Sequence, residues 1–171
     1  MHDARERRAL QTLGLLTRGA LHEISNPLVA LVGSAELALG ETEPGTKLHD
    51  RVALTRNTGT EIADIVRALQ TFVRNQAKPP QRLSLGEAAT DAVALVTRVI
   101  PTHDVTLAAS GDATVVAAPG DVGSALVELL VDALAQEGPE GRSIELAVRA
   151  ENGEAVVTAT GGGELRLPAV D

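Results

Sequence analysis

The sequence predicts an α+β protein: a long antiparallel helical hairpin, able to pair into a dimeric four-helix bundle, followed by a small α/β sandwich. Three observations predict it. Apolar residues recur at steps of three and four up to Gln76. After Lys78-Pro79-Pro80 the pattern changes to short strand-like runs alternating with two helical stretches. Charge splits at the same place: ten Lys/Arg against nine Asp/Glu through Pro80, then five against fourteen from Gln81 onward. Such asymmetry suggests two units with different partners. The expected organisation is a hairpin over 1–77, a linker over 78–82 and a second domain over 83–171.

The first helix is expected from about Ala4 to Gly40, on the stripe Leu10, Leu13, Leu16, Ala20, Ile24, Leu28, Leu31, Ala35 and Leu39. Only Pro27 interrupts it. Gly40 to Thr46, with Pro44-Gly45, reads as a turn. A second helix from about Lys47 to Gln76 carries Ile62, Ile65, Val66, Leu69, Phe72 and Val73 on one face. Two long helices joined by a short turn form an antiparallel hairpin. A lone hairpin leaves apolar surface uncovered. Pairing of two hairpins would cover it, so a homodimer is expected; packing onto the rest of the same chain is the alternative.

Past the prolines, Leu85 to Ile100 reads as a helix closed by Pro101. Val105 to Ala109 and Thr114 to Ala118 read as short strands, with Ser110-Gly111-Asp112 as the turn between them. Pro119 to Gln136 is a helix with proline in its first turn, ended by Gly138-Pro139. Ile144 to Ala150 and Ala155 to Thr160 flank Asn152-Gly153, a strong hairpin signal. The result is a sheet with helices on one side.

Composition excludes several function classes. Phe72 is the only aromatic residue, so the core is aliphatic and base-stacking nucleic-acid platforms are not expected. There is no cysteine, which removes disulfides, thiolate metal sites and cysteine nucleophiles. A charged start and the absence of any run near the roughly 20 apolar residues of a membrane span lead to the expectation of a cytoplasmic chain with no membrane partner.

The residues able to carry chemistry cluster in Leu21-His22-Glu23-Ile24-Ser25-Asn26-Pro27-Leu28. One turn from His22 lie Arg18, Gly19, Ser25 and Asn26, polar or small, so the imidazole should face solvent. A histidine titrating near neutrality is a competent nucleophile once its proton is managed. Glu23 can orient the ring or accept that proton, and Asn26 can position a water. Pro27 removes a helical hydrogen bond and crowds the carbonyl of Glu23, at a cost of about 3 kcal/mol. Taken on spacing alone, a lone histidine on a polar helix face is usually just solvated, and Asn26-Pro27 is often a turn between helices. His2, His49 and His103 have the look of terminal, surface and loop residues, and none shows metal-ligand spacing.

This stretch resembles the H box of sensor histidine kinases, whose pattern is His-Glu-aliphatic-x-Asn-Pro-Leu; every defined position matches. The setting is similar too: a long helix, a short turn, a second helix, then a lead into a further domain. The resemblance implies that His22 is the phosphoacceptor, Glu23 its acid/base partner, and Glu23 with Asn26 the pair that serves dephosphorylation of a response regulator.

The second half departs from that family. The helix around Val122 to Ala133 is similar to the N box, but the two asparagine positions hold Glu128 and Asp132, and Ala135 stands where a polar residue is usual. Asp132 could still hold magnesium. Ala159-Thr160-Gly161-Gly162-Gly163 resembles the Asp-x-Gly-x-Gly motif with its adenine-reading aspartate replaced by Ala159. A methyl cannot accept that hydrogen bond. Glycine turns can cradle phosphates through backbone N–H groups, though a glycine run near a terminus is commonly a frayed loop. No counterpart of the nucleotide lid or the later glycine box is found.

The expectation is therefore a two-component phosphorelay protein with a degenerate kinase-like ATPase domain. It exchanges a phosphoryl group between His22 and the aspartate of a response-regulator receiver, binds no cofactor of its own, and relies on magnesium supplied by the receiver. The rival readings are a compact ATP-dependent histidine kinase, which nucleotide binding would reveal; a response-regulator phosphatase using Glu23 and Asn26; and a non-catalytic docking scaffold.

Overall fold

The computed structural model describes residues 2–100, 105–136 and 142–170, with side chains from residue 16 onward. The protein is α+β, and the chain divides into two compact units, Met1–Val73 and Arg74–Asp171.

The first unit holds α1 (His2–Glu41) and most of α2 (Lys47–Asn75). α1 runs unbroken through Pro27. The turn between them closes with Thr46: its hydroxyl accepts from the His49 N–H at 3.2 Å, its carbonyl from the Asp50 N–H at 3.1 Å, which caps α2. His49 Nδ1 lies 2.9 Å from the Thr42 hydroxyl, so this histidine is tied to the turn. Two contacts fix the helix register. Gln70 meets Leu21, and Gly59, which is buried, leaves room for Val32 and Leu31. Leu21 to Val32 and Gly59 to Gln70 are equal steps along the two helices, as an antiparallel pair requires. Within this unit the buried apolar side chains among the described residues are Leu21, Ala35 and Val66. Leu16, Ile24, Val29, Leu31, Leu37, Leu48, Leu54 and Ile62 remain exposed.

The second unit carries the main core. Its elements are β1 (Gln81–Ser84), α3 (Leu85–Val99), β2 (Val105–Ser110), β3 (Thr114–Ala117), α4 (Pro119–Ala135), β4 (Arg142–Glu151), β5 (Glu154–Ala159) and β6 (Glu164–Pro168). The four-stranded sheet has the order β2-β4-β5-β6, with β2 parallel to β4 and the remaining pairs antiparallel; β1 and β3 form a separate antiparallel pair. Leu85, Ala89, Ala92 and Val96 recur at helical spacing on α3, as do Val122, Leu126, Leu130 and Ala133 on α4. They cover Ile144, Leu146 and Val148 of β4 and Ala155, Val157 and Ala159 of β5, which alternate as one face of a sheet must. Each fully buried Leu or Ile contributes on the order of 1.5–3 kcal/mol. On the opposite sheet face Val156 is also fully buried, flanked in register by Arg149 and Arg166. Arginine stems can shield such a side chain while their heads stay wet. Glu164 and Glu154 bind the Arg166 guanidinium at 2.9 and 3.1 Å.

Three features differ from the sequence-based expectation. Gln81 and Arg82, placed in a linker, begin β1, which pairs with β3. β2 and β3 do not pair with each other: β2 joins β4 in parallel, a pairing that needs the α4 crossover, and Ser110 to Asp112 carries the chain between sheets. The glycine run is not a frayed end. Gly161, Gly162 and Gly163 have φ of 96°, 116° and 94° and turn the chain from β5 into β6, a strand not expected from the sequence. Only glycine takes three such angles in succession without strain. The Asn152-Gly153 hairpin is as expected, with φ of 53° and 80°. Pro101, His103, Gly138 and Pro139 lie outside the described residues.

Candidate functional site

The site begins with the face of α1 around His22. His22, Glu23 and Asn26 are exposed, as are Arg18 and Gly19, and Ser25 is half-buried. Leu21, on the inner side, is 8% exposed. The helix turns by about 100° per residue, so burying Leu21 against α2 points its neighbour away from the hairpin interior. His22 and Asn26, four residues apart, share a face; Glu23 lies one step round. Among the described residues, the side chains of His22, Glu23 and Asn26 make no hydrogen bond. The Glu23 carboxylate is near His22 in sequence but not bonded to its ring. The helix continues beyond His22 although Pro27 supplies no N–H to the Glu23 carbonyl.

Sequence reasoning missed Gln70. Its side-chain amide donates to the Leu21 carbonyl at 3.0 Å, across the hairpin and immediately before His22. A signal was present: Gln70 stands four residues after buried Val66 and eleven after buried Gly59, a polar side chain on the inward stripe of α2.

In the second unit, the residues that the sequence likens to nucleotide-binding positions differ in their surroundings. Glu128 and Asp132 are exposed on α4, two turns of carboxylate facing water opposite Leu126 and Leu130. Ala159 is 7% exposed and belongs to the apolar core. Its backbone N–H goes to the Gly163 carbonyl at 3.2 Å, and its carbonyl accepts the Gly162 N–H at 3.2 Å, so the glycine turn spends these groups on its own closure. The Gln136 amide group lies beside Gly161. Among the described residues, no three His, Cys, Asp or Glu side chains gather in a way that could hold a metal ion.

A shallow open cleft lies where α3 starts, lined by Ser84, Glu87, Thr90, Asp91, Ser110 and Asp112. Its organising group is structural. Asp112 accepts from the Gly86 N–H at 2.9 Å, the Ser84 hydroxyl at 2.8 Å and the Ala113 N–H at 2.7 Å. The Gly86 bond, then the Ser84 bond, hold this carboxyl below its ordinary range against a small opposing effect of burial, with Ala113 adding to the depression. Ser84 in turn accepts from the Glu87 N–H at 3.0 Å, completing the N-cap of α3.

No family model matches the chain. The sensor histidine kinase ZraS of Salmonella typhi is 24% identical over 166 residues, which is 95% of this chain. The chain spans 36% of that protein's length. Similar solved structures include full-length ShkA in complex with AMPPNP, at 18% identity and a TM-score of 0.46 over 84% of this chain and 32% of that one. The histidine kinase ThkA in complex with the response regulator TrrA gives 18% identity and 0.41 over 92% and 48%. A bacterial phosphotransferase gives 14% identity and 0.47 over 87% and 66%. Among the described residues no helix is long and apolar enough to cross a membrane. The chain is thus similar in sequence to a sensor histidine kinase along nearly its whole length, and its His22 to Leu28 pattern is complete.

Proposed function

We propose that the chain carries a phosphoryl group on His22 and exchanges it with the aspartate of a response-regulator receiver domain, without binding ATP. The observation that carries this reading is an unencumbered imidazole at the head of a complete H-box pattern, held outward by burial of Leu21. Transfer of this kind asks for positioning and charge placement rather than elaborate covalent chemistry. A ring nitrogen of His22 attacks phosphorus, the P–O bond to the receiver aspartate breaks, and the carboxylate leaves with the electron pair. The other ring nitrogen can then release its proton to water or to Glu23. Magnesium and the acidic pocket would come from the receiver. Asn26, on the same face, is suited to placing a water for the competing, hydrolytic outcome, in which water attacks the receiver's phosphoaspartate and inorganic phosphate leaves.

Two observations support the ATP-independent form. The position matching the adenine-reading aspartate is a methyl packed in the core. The glycine turn closes directly into β6, with the Gly162 N–H already committed to Ala159. These residues do not fit an adenine nucleotide.

A homodimer is part of the proposal. The hairpin buries Leu21, Ala35 and Val66 but leaves Leu16, Ile24, Leu31 and Ile62 between 41% and 66% exposed. Ile24 and Leu31, seven residues apart, fall on one stripe of α1, as a helix-bundle seam requires. A second hairpin would cover it.

The test is to mix the purified chain with each phosphorylated receiver domain encoded in the same genome, using labelled phosphate, and to repeat it with His22→Gln. Acid-labile label on the wild type and none on the variant supports the reading. Absence of transfer from every receiver, or equal label on both, overturns it. Calorimetry with ATP·Mg is expected to give no saturable heat; saturable binding with label from γ-labelled ATP would make this a compact histidine kinase.

A further inference from the structure

Gln70 does something that its place in a helical hairpin does not require. A peptide carbonyl only accepts, so the 3.0 Å contact fixes the side-chain amide with its nitrogen toward α1. In a regular helix the Leu21 carbonyl already receives the Ser25 N–H. Gln70 is therefore a second donor to one carbonyl, aimed at the peptide that joins Leu21 to His22. Two residues on, the Glu23 carbonyl is the acceptor that Pro27 leaves without its helical donor. The backbone of His22 thus has an added anchor from α2 on one side and a missing rung on the other.

We propose that Gln70 is a positioning residue for His22, fixing the height and rotation of the imidazole on α1 against the laxity that Pro27 introduces. The proposal rests on the reading of His22 as the phosphoacceptor. The His22 Cα is two bonds from the carbonyl carbon that Gln70 restrains, so the anchor acts close to the ring. Attack on phosphorus depends steeply on alignment: a displacement near 1 Å can cost on the order of a hundredfold in rate. The anchor does not touch the ring and leaves its intrinsic nucleophilicity alone. Position and reactivity are therefore separable by experiment.

The experiment uses the full chain and three variants. Gln70→Met keeps the shape and loses the donor. Gln70→Glu puts an acceptor against an acceptor. Gln70→Lys keeps a donor of similar reach. Single-turnover transfer is followed at increasing concentrations of a labelled phospho-receiver from which the wild type accepts label. His22 is labelled separately with phosphoramidate, a small donor that needs no docking. Gln70→Met and Gln70→Glu are expected to lower the maximal transfer rate about tenfold, with half-saturation and phosphoramidate labelling within about twofold of wild type. Gln70→Lys is expected to retain most of the rate. Unchanged maximal rates in Met and Glu overturn the proposal. So does a loss confined to half-saturation, which would make Gln70 a docking contact, or a parallel loss with phosphoramidate, which would mean general disruption. A wild type that accepts no label from any receiver overturns the His22 reading itself, and the two failures are thereby distinct.

Discussion

Ala159→Asp restores the carboxylate at the one position where the resemblance to nucleotide-binding kinases most clearly fails, and the structure sets its cost. Ala159 pairs with Leu146 across β4 and β5, is 7% exposed, and shares its cluster with Leu126, Leu130 and Ile144. Among the described residues no polar or charged side chain is buried, so nothing in the core can pair with an aspartate. The new group would stay protonated in the folded state. Keeping a carboxyl of ordinary pKa near 3.9 neutral at pH 7 costs at most about 4 kcal/mol, at about 1.4 kcal/mol per pH unit. The added volume costs about 1–3 kcal/mol more. The sign follows from linkage. The folded pKa is raised above the unfolded value, so the electrostatic penalty is nearly absent below pH 4 and grows as pH rises. Urea unfolding followed by circular dichroism should show wild type and variant about 2.5 kcal/mol further apart at pH 7 than at pH 5. Calorimetry with ATP·Mg on the variant should show no binding. A variant as stable as wild type at both pH values, with saturable nucleotide binding, would mean that this position opens onto a pocket and would sink the ATP-independent reading.

Asp112→Ala should destabilise the second unit by about 1–3 kcal/mol, because three hydrogen bonds at the start of α3 are lost together. The wild-type carboxyl titrates below its ordinary range. Its contribution is therefore present above about pH 4 and fades as pH falls through the folded value, and the gap between the two proteins in acid titrations should narrow there. Gly120→Val should cost more than 2 kcal/mol in thermal unfolding: a Cβ at Gly120 would lie 2.5 Å from the Gln76 Cα and 3.0 Å from the Asn75 carbonyl, backbone that cannot yield as a side chain would. Ile24→Lys with Leu31→Lys should shift the chain from dimer to monomer in sedimentation equilibrium; a persistent dimer would move the interface elsewhere.

What the sequence made legible was what it encodes at short range. The two long helices, the turn between them, the Asn152-Gly153 hairpin and the core faces of α3 and α4 all rest on residues within a few positions of one another. β1 escaped because its four residues, Gln81 to Ser84, have no alternation of their own; it exists through pairing with β3, some thirty residues on. β6 escaped because Pro168 and the preceding glycines argue locally for a loop, and the β5 edge overrules them. The candidate site divides in the same way. His22, Glu23 and Asn26 stand in one contiguous motif and could be named from the sequence. Gln70 showed only as a polar residue on the apolar stripe of α2, and its partner, a carbonyl 49 residues away, could not be read from the sequence. The same logic bears on function. The H-box pattern points to His22 as the proposed phosphoacceptor, but a motif cannot say what would steady it. In this protein Pro27, which removes one rung of α1, and Gln70, which donates to the Leu21 carbonyl, belong to different helices. A variant set that breaks one at a time, Pro27→Ala against Gln70→Met, asks whether transfer depends on their balance. Pro27→Ala should stabilise the hairpin by about 1–3 kcal/mol through the restored bond to the Glu23 carbonyl. If Gln70 exists to counter the laxity at Pro27, combining the two substitutions should recover much of the rate lost in Gln70→Met alone. A double variant no faster than the single one would show that the two residues act independently.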